Sequence, residues 1–204
     1  MDYFENALGA SRGEVWDRIA VGLEEASTDG QVWQGRQIVA RVGQWRVTLD
    51  ADSASDREAF VASTRLRAPY INKDGFRFHI SPEGLMGRFG KLLGLQDVQV
   101  GEEAFDRAFL VRATDEEKAR RFLSDPALRA AMLDLGRISL CVKDDEGWFG
   151  ADFPEGVDEL YLEAPRLVTT RDELRRHFDF FALCLHQLCH IGSAYPDDPG
   201  LTLM

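Results

Sequence analysis

Three cysteines, Cys141, Cys184 and Cys189, are too few and too odd in number for a disulfide framework, so the fold of this 204-residue chain is expected to rest on packing. Reduced thiols fit a cytoplasmic setting. Positive charge is also scarce: 24 Lys and Arg stand against 35 Asp and Glu. The resulting net charge of −11 disfavours nucleic acid and anionic bilayers unless the cations gather on one face. Long apolar runs are missing. The longest stretch free of Asp, Glu, Lys and Arg, Phe180 to Pro196, contains His186, Gln187 and His190 and falls short of the ~20 apolar residues a membrane span needs. The opening MDYFENALGA has no basic region ahead of an apolar one, so no secretory signal is expected. What is present, 45% hydrophobic and 29% charged residues, is the composition of an ordinary globular protein.

Hydrophobic periodicity orders the chain. Ser11 and Glu14 form a capping box, and Val15, Ile19, Leu23 and Ala26 share one face, which predicts a helix over about Arg12 to Ala26. The period then changes to two. Ile38 to Val42 and Trp45 to Leu49 alternate around a Gly43-Gln44 turn, as a hairpin does. Phe60 to Arg67 and Phe76 to Ile80, separated by Pro69 and the Asn72-Lys73-Asp74-Gly75 turn, complete an expected four-stranded antiparallel meander. After the glycine-rich EGLMGRFGKLLGL, Phe105 to Val111 is expected as a strand, with Thr114 and Glu117 boxing the start of a helix. Ile138 to Val142, Trp148 to Phe153 and Val157 to Leu162 read as three further strands, with a turn at Asp144-Asp145-Glu146-Gly147. Thr170 and Glu173 box a long final helix ending before Gly192, and the tail AYPDDPG reads as loosely attached.

Sequential strands flanked by helices, without strict βαβ alternation, give an α+β fold with antiparallel sheet and a long C-terminal helix. The chain reads as one domain over 1–204. It divides, if at all, into a helix and meander at 12–95, a strand, two helices, meander and long helix at 96–192, and the acidic tail at 193–204. The order is compatible with two similar halves, although no residue pattern recurs.

The block FDRAFLVRATDEEKARRFLSDPALRAAML, Phe105 to Leu133, has a more specific pattern than amphipathy requires. Phe105, Asp106, Phe109 and Val111, followed by Asp115, Ala119, Leu123, Pro126 and Leu128, resemble an uncharacterised bacterial family, a domain of unknown function. In that family an F-[DE]-x-x-F-x-V strand feeds two short helices. The resemblance covers Val100 to Leu140, and more loosely the later strands and final helix. It implies an α+β bacterial domain and carries over no catalytic residue. Asp106 and Asp115 match its pattern, yet they stand where a strand edge and a helix start favour a carboxylate. Family members often carry membrane segments ahead of the domain, and none is read in this chain.

Several motifs suggest chemistry and fail on spacing. Gly84 to Leu92 resembles a phosphate loop, but five residues separate Gly84 from Gly90 and Leu92 replaces the magnesium-binding hydroxyl. A connector with Leu85, Met86, Phe89 and Leu93 packed inward is the plainer reading. Cys184-Leu-His-Gln-Leu-Cys189-His190 is a widened haem-attachment pattern, out of place in a chain without an export signal. His186 and His190 lie one turn apart on the helix, as zinc-binding histidines do, but both fall far from the stripe Leu174, Phe178, Phe181, Leu185 and Leu188, and Asp179 is too distant to join them. An exposed polar face explains them without a metal. His177, at the stripe's edge, reads as a packing residue, the cysteines as buried inert thiols, and the Asp144–Glu146 carboxylates as a solvated turn. Neither cofactor nor metal is expected.

Strand parity gives a sharper feature. If Trp45, Val47, Leu66, Phe76, Phe78 and Ile80 face the core, then Arg41, Arg46, Arg65, Arg67, Arg77 and His79 project from the other face. Between Arg36 and Lys91 ten Lys/Arg outnumber six Asp/Glu, a net +4 that leaves −15 for the rest. Arginines on a rigid sheet engage carboxylates or phosphates bidentately. The expected function is a non-enzymatic binding or interaction module whose arginine face meets an acidic partner, an acidic part of this chain or a small anion. Its plainer counterpart is a solvated sheet face paired locally with acids such as Asp50 and Glu58. A metal-dependent enzyme built on His186 and His190 is the rival reading, and a membrane-surface adaptor using Leu85 to Leu95 a third.

Overall fold

The computed structural model describes residues 27–29, 37–42, 44–56, 59–83, 94–144, 153–168 and 170–201. The expected helix over Arg12 to Ala26, the segment 84–93, most of the Asp144–Gly147 turn and the strand expected from Trp148 lie outside or largely outside these residues.

The expected hairpin forms from β2 (Gln37–Val42) and β3 (Trp45–Asp56), with Ala40 opposite Val47. β1 (Ser27–Asp29) adds to the outer side of β2. β4 (Ala59–Ile71) returns along β3 and sets Leu66 opposite Leu49. At its end Asn72 builds the next turn: its Oδ1 accepts from the Gly75 N–H at 3.0 Å, and Gly75 takes the positive φ of 68° that the turn requires. β5 (Phe78–Pro82) and β6 (Gln96–Val98) follow.

The Phe105 block departs from the expected strand. Glu103–Ala108 is a helix, α1, and only Phe109–Ala113 is extended, as β7. Helical spacing brings the Phe105 and Phe109 rings to 5.2 Å, while the Asp106 carboxylate accepts from the Val100 and Gly101 N–H groups at 2.9 and 2.8 Å. The F-D-x-x-F spacing therefore serves a helical turn. α2 (Glu116–Phe122) is capped by Asp115, which accepts from the Lys118 N–H, and not by Thr114 as expected. Thr114 instead bonds back to Arg77: its backbone N–H donates to the Arg77 carbonyl at 2.9 Å and its Oγ1 accepts from the Arg77 N–H at 3.0 Å. α3 (Pro126–Leu135) starts on an Asp125 cap with Pro126 in its first turn. β8 (Ser139–Lys143), β9 (Val157–Ala164) and α4 (Arg171–His190) complete the order, and Thr170 caps α4 as its spacing indicates.

The fold is α+β, with helices against an antiparallel sheet. Nine described strands run in the order β1-β2-β3-β4-β9-β8-β5-β7-β6, every pair antiparallel. The expected four-stranded meander ends at β4, because β9 and β8 insert between β4 and β5. Leu66 opposite Leu162 and Ala68 opposite Leu160 give β4 a better apolar partner in β9 than its chain neighbour supplies. Strands of the two segments 12–95 and 96–192 thus interleave in one sheet.

One face of that sheet presents Trp45, Leu66, Tyr70, Phe78, Ile80, Val111, Leu140 and Leu162 to the helices, which return Phe105, Phe122, Leu128, Met132, Leu174 and Phe181 to the same core. The stripe read on α4 is buried throughout, widened by Phe180 and Cys184. The segment after α4, expected to be loose, is tied to the end of the sheet. Ala194 bridges Asn72, and the Tyr195 N–H donates to the Ile71 carbonyl at 3.2 Å.

Candidate functional site

The sheet's second face carries its charge. Register aligns Thr48, Arg67, Tyr161, Cys141, His79, Arg112 and Asp97 as one row crossing β3, β4, β9, β8, β5, β7 and β6. A second row runs Asp50, Arg65, Glu163 and Ser139. Directly opposed residues in an antiparallel sheet share a face, so the two rows form a continuous polar layer behind the core strands.

Its centre is Asp50. Arg65 Nε lies 2.5 Å from Asp50 Oδ1, and Arg67 Nη2 forms an ion pair with Oδ2 at 2.8 Å, so one carboxylate is gripped by two guanidinium groups. Arg67 also lies 3.9 Å from Glu159, and the Lys143 ammonium sits 3.0 Å from the centre of the Tyr161 ring, whose hydroxyl donates to Glu163 at 3.3 Å. Asp50 and Arg67 side chains are each only 6% exposed. At the far edge Arg112 pairs with Asp97 at 2.7 Å.

His79 and Cys141 face each other across β5 and β8, the layout of a nucleophile and its base. Their protonation opposes that chemistry. Burial holds the His79 imidazole down at about 4, with Arg112 and Lys143 adding to the shift. Burial pushes the Cys141 thiol up to about 12, with Lys143 opposing and Glu159 and Glu163 adding. At neutral pH the pair is an uncharged imidazole beside an uncharged thiol, not a reactive thiolate.

The arginines read from the sequence divide by position. Arg65 and Arg67 converge on Asp50. Arg46 lies further along β3 and pairs with Asp198 of the C-terminal segment at 3.0 Å, its side chain 36% exposed. Arg77 lies just before β5 at the lip of the sheet, 40% exposed, and holds Asp144 at 2.7 Å with Asp158 at 3.7 Å. Asp158 is raised by burial, against the hydrogen bond from Asn72 and the charge of Arg77. Arg41 stands opposite Arg46 in the β2–β3 register.

The acids that complete these pairs were largely missed by sequence reasoning. The signal for two of them lay in Glu159, Tyr161 and Glu163, alternating with Leu160 and Leu162 along β9. Nothing local marks Asp198 as a partner of Arg46.

His186 and His190 are exposed on α4, and His186 sets its ring edge-on to buried Trp45 at 5.4 Å. Among the described residues no group of three or more His, Cys, Asp and Glu is placed to hold a metal ion. His177 is buried in the core as its position suggested, with Nδ1 2.6 Å from the Glu173 carbonyl. Among the described residues no helix is long and apolar enough to cross a membrane.

No family model matches the chain, and no curated protein matches it. It aligns in structure with the crystal structure of the mycobacterial trehalose monomycolate transport factor A, TtfA. The identity is 12%, the TM-score 0.48, and the alignment covers 96% of this chain and 98% of that one.

Proposed function

We propose that the chain is a non-enzymatic interaction module that holds carboxylates of an acidic partner, or a small anion, on the arginine-bearing side of its sheet. One observation carries the reading: Arg65 and Arg67, two positions apart on β4, close on a single carboxylate. Planar guanidinium groups on a rigid strand fit carboxylates without reorganising, as a lysine does not. The buried pairs at Asp50 fix the frame. Arg46 and Arg77, more exposed, are the groups that meet a partner, because an exposed ion pair is worth only ~0–1 kcal/mol and exchanges readily for another carboxylate.

The test is thermal stabilisation by citrate in wild type and in a variant with Arg46 and Arg77 replaced by Gln. Stabilisation present in wild type and absent in the variant supports the reading. A wild type that citrate does not stabilise removes it.

A further inference from the structure

The arginine surface already has an acidic occupant from its own chain. After α4 the backbone is fixed at the end of the sheet: the Lys73 N–H donates to the Ser193 carbonyl at 2.9 Å, Ala194 bridges Asn72, and Tyr195 bonds to Ile71. The next residues run from the end of β4 to the start of β3, where Asp198 meets Arg46 at 3.0 Å. Beyond Tyr195, that ion pair is the polar contact that ties the segment to the sheet among the described residues. Pro196 and Pro199 flank the two aspartates and restrict the backbone around them. Asp198 Oδ1 also accepts from the Gly200 N–H at 2.8 Å, so its carboxylate is held in a turn facing the arginine. Tyr195 stays 43% exposed, the one large hydrophobic side chain so exposed among the described residues, with the Lys73 ammonium 5.3 Å from its ring centre.

We infer that residues 196–198 act as an intramolecular latch over Arg46, standing in for a partner that is an acidic peptide with adjacent carboxylates, and that such a peptide binds by displacing them. The inference rests on the proposed function and adds the partner class and the competition. Anchored through the Tyr195 N–H, the latch holds Asp198 at high effective concentration beside Arg46, yet the contact it must surrender is one partly exposed ion pair. The latch therefore weakens binding of an outside acidic peptide without preventing it.

The probe is a fluorescently labelled peptide of sequence AYPDDPGL, added to the full chain at low salt and followed by anisotropy. The Asp197→Asn/Asp198→Asn double variant is expected to bind it about two- to fivefold more tightly than wild type, the span an exposed ion pair allows. Adding Arg46→Gln to that double variant is expected to abolish the gain. Equal binding by wild type and double variant, weakened in both by Arg46→Gln, would overturn the latch and leave the arginine surface standing. Absence of binding to either protein, or binding indifferent to Arg46→Gln, would overturn both. Asp197 and Asp198 lie in the segment after α4, outside the buried core, so both variants are expected to fold, and unchanged thermal melting verifies it.

Discussion

Asp50 is the residue whose removal separates a built carboxylate clamp from an incidental surface pairing. In the register it stands opposite Arg65, and it reaches Arg67 as well, with 6% of its side chain exposed. Replacing it with alanine strips one carboxylate from two cations at once. Arg65, 25% exposed, can turn toward water, whereas Arg67, 6% exposed, has little access to it. Breaking a buried pair from one side costs about 3–5 kcal/mol, and the freedom of Arg65 places Asp50→Ala near the lower figure. Asp50→Asn keeps an acceptor and loses the charge, so its cost is expected to be about 2 kcal/mol. Urea unfolding at neutral pH reads both values from the midpoint at constant slope. Because the pair is shielded from solvent, the penalty is expected to change little between ~0.05 M and ~0.5 M salt. A loss below about 1 kcal/mol for Asp50→Ala, or one that salt removes, would place the cluster with ordinary surface ion pairs and refute the reasoning.

Three further outcomes concern single side chains at the core and its rim. Tyr70 is buried and its hydroxyl has no hydrogen-bond partner among the described residues, so Tyr70→Phe is expected to leave stability unchanged or raise it by up to ~1 kcal/mol; a clear loss in urea unfolding would contradict this. His79 titrates at about 4 in the folded chain, below its ordinary value of 6.5, so it contributes stability above pH ~6.5 that is lost as the pH falls toward 4; His79→Gln should flatten that part of the stability–pH curve, and an unchanged slope would assign the loss elsewhere. His186→Ala should lose the edge-on contact with Trp45, about 0.5–1.5 kcal/mol, and shift tryptophan fluorescence; an unaltered protein would mean the contact is idle.

Local chemistry made much of this fold legible in the sequence, and distance along the chain hid the rest. The β2–β3 hairpin, the Thr170 cap and the buried stripe of α4 depend on neighbours within a few residues, and each forms where its pattern lies. Alternation placed Arg46, Arg65 and Arg67 on strands with the core residues between them. The pairing of β4 with β9 joins residues about a hundred positions apart, and alternation says which way a side chain points but not which strand comes alongside. Alternation alone therefore extends the meander one strand too far and leaves the partners Glu159 and Asp198 unassigned. The Phe105 block misled for another reason. Two phenylalanines four apart suit a helical turn as well as a strand, and Asp106 holding two N–H groups of the preceding turn favours the helix.

The central claim is that the exposed arginines at the starts of β3 and β5 bind carboxylates from outside. Isothermal titration of wild type and of the Arg46→Gln/Arg77→Gln variant with a hexaglutamate peptide tests it most directly, at ~0.05 M and ~0.5 M salt. Saturable binding to wild type that weakens in high salt and is lost or strongly reduced in the variant is the expected result. Equal binding by both proteins, or none by wild type at low salt, would contradict it.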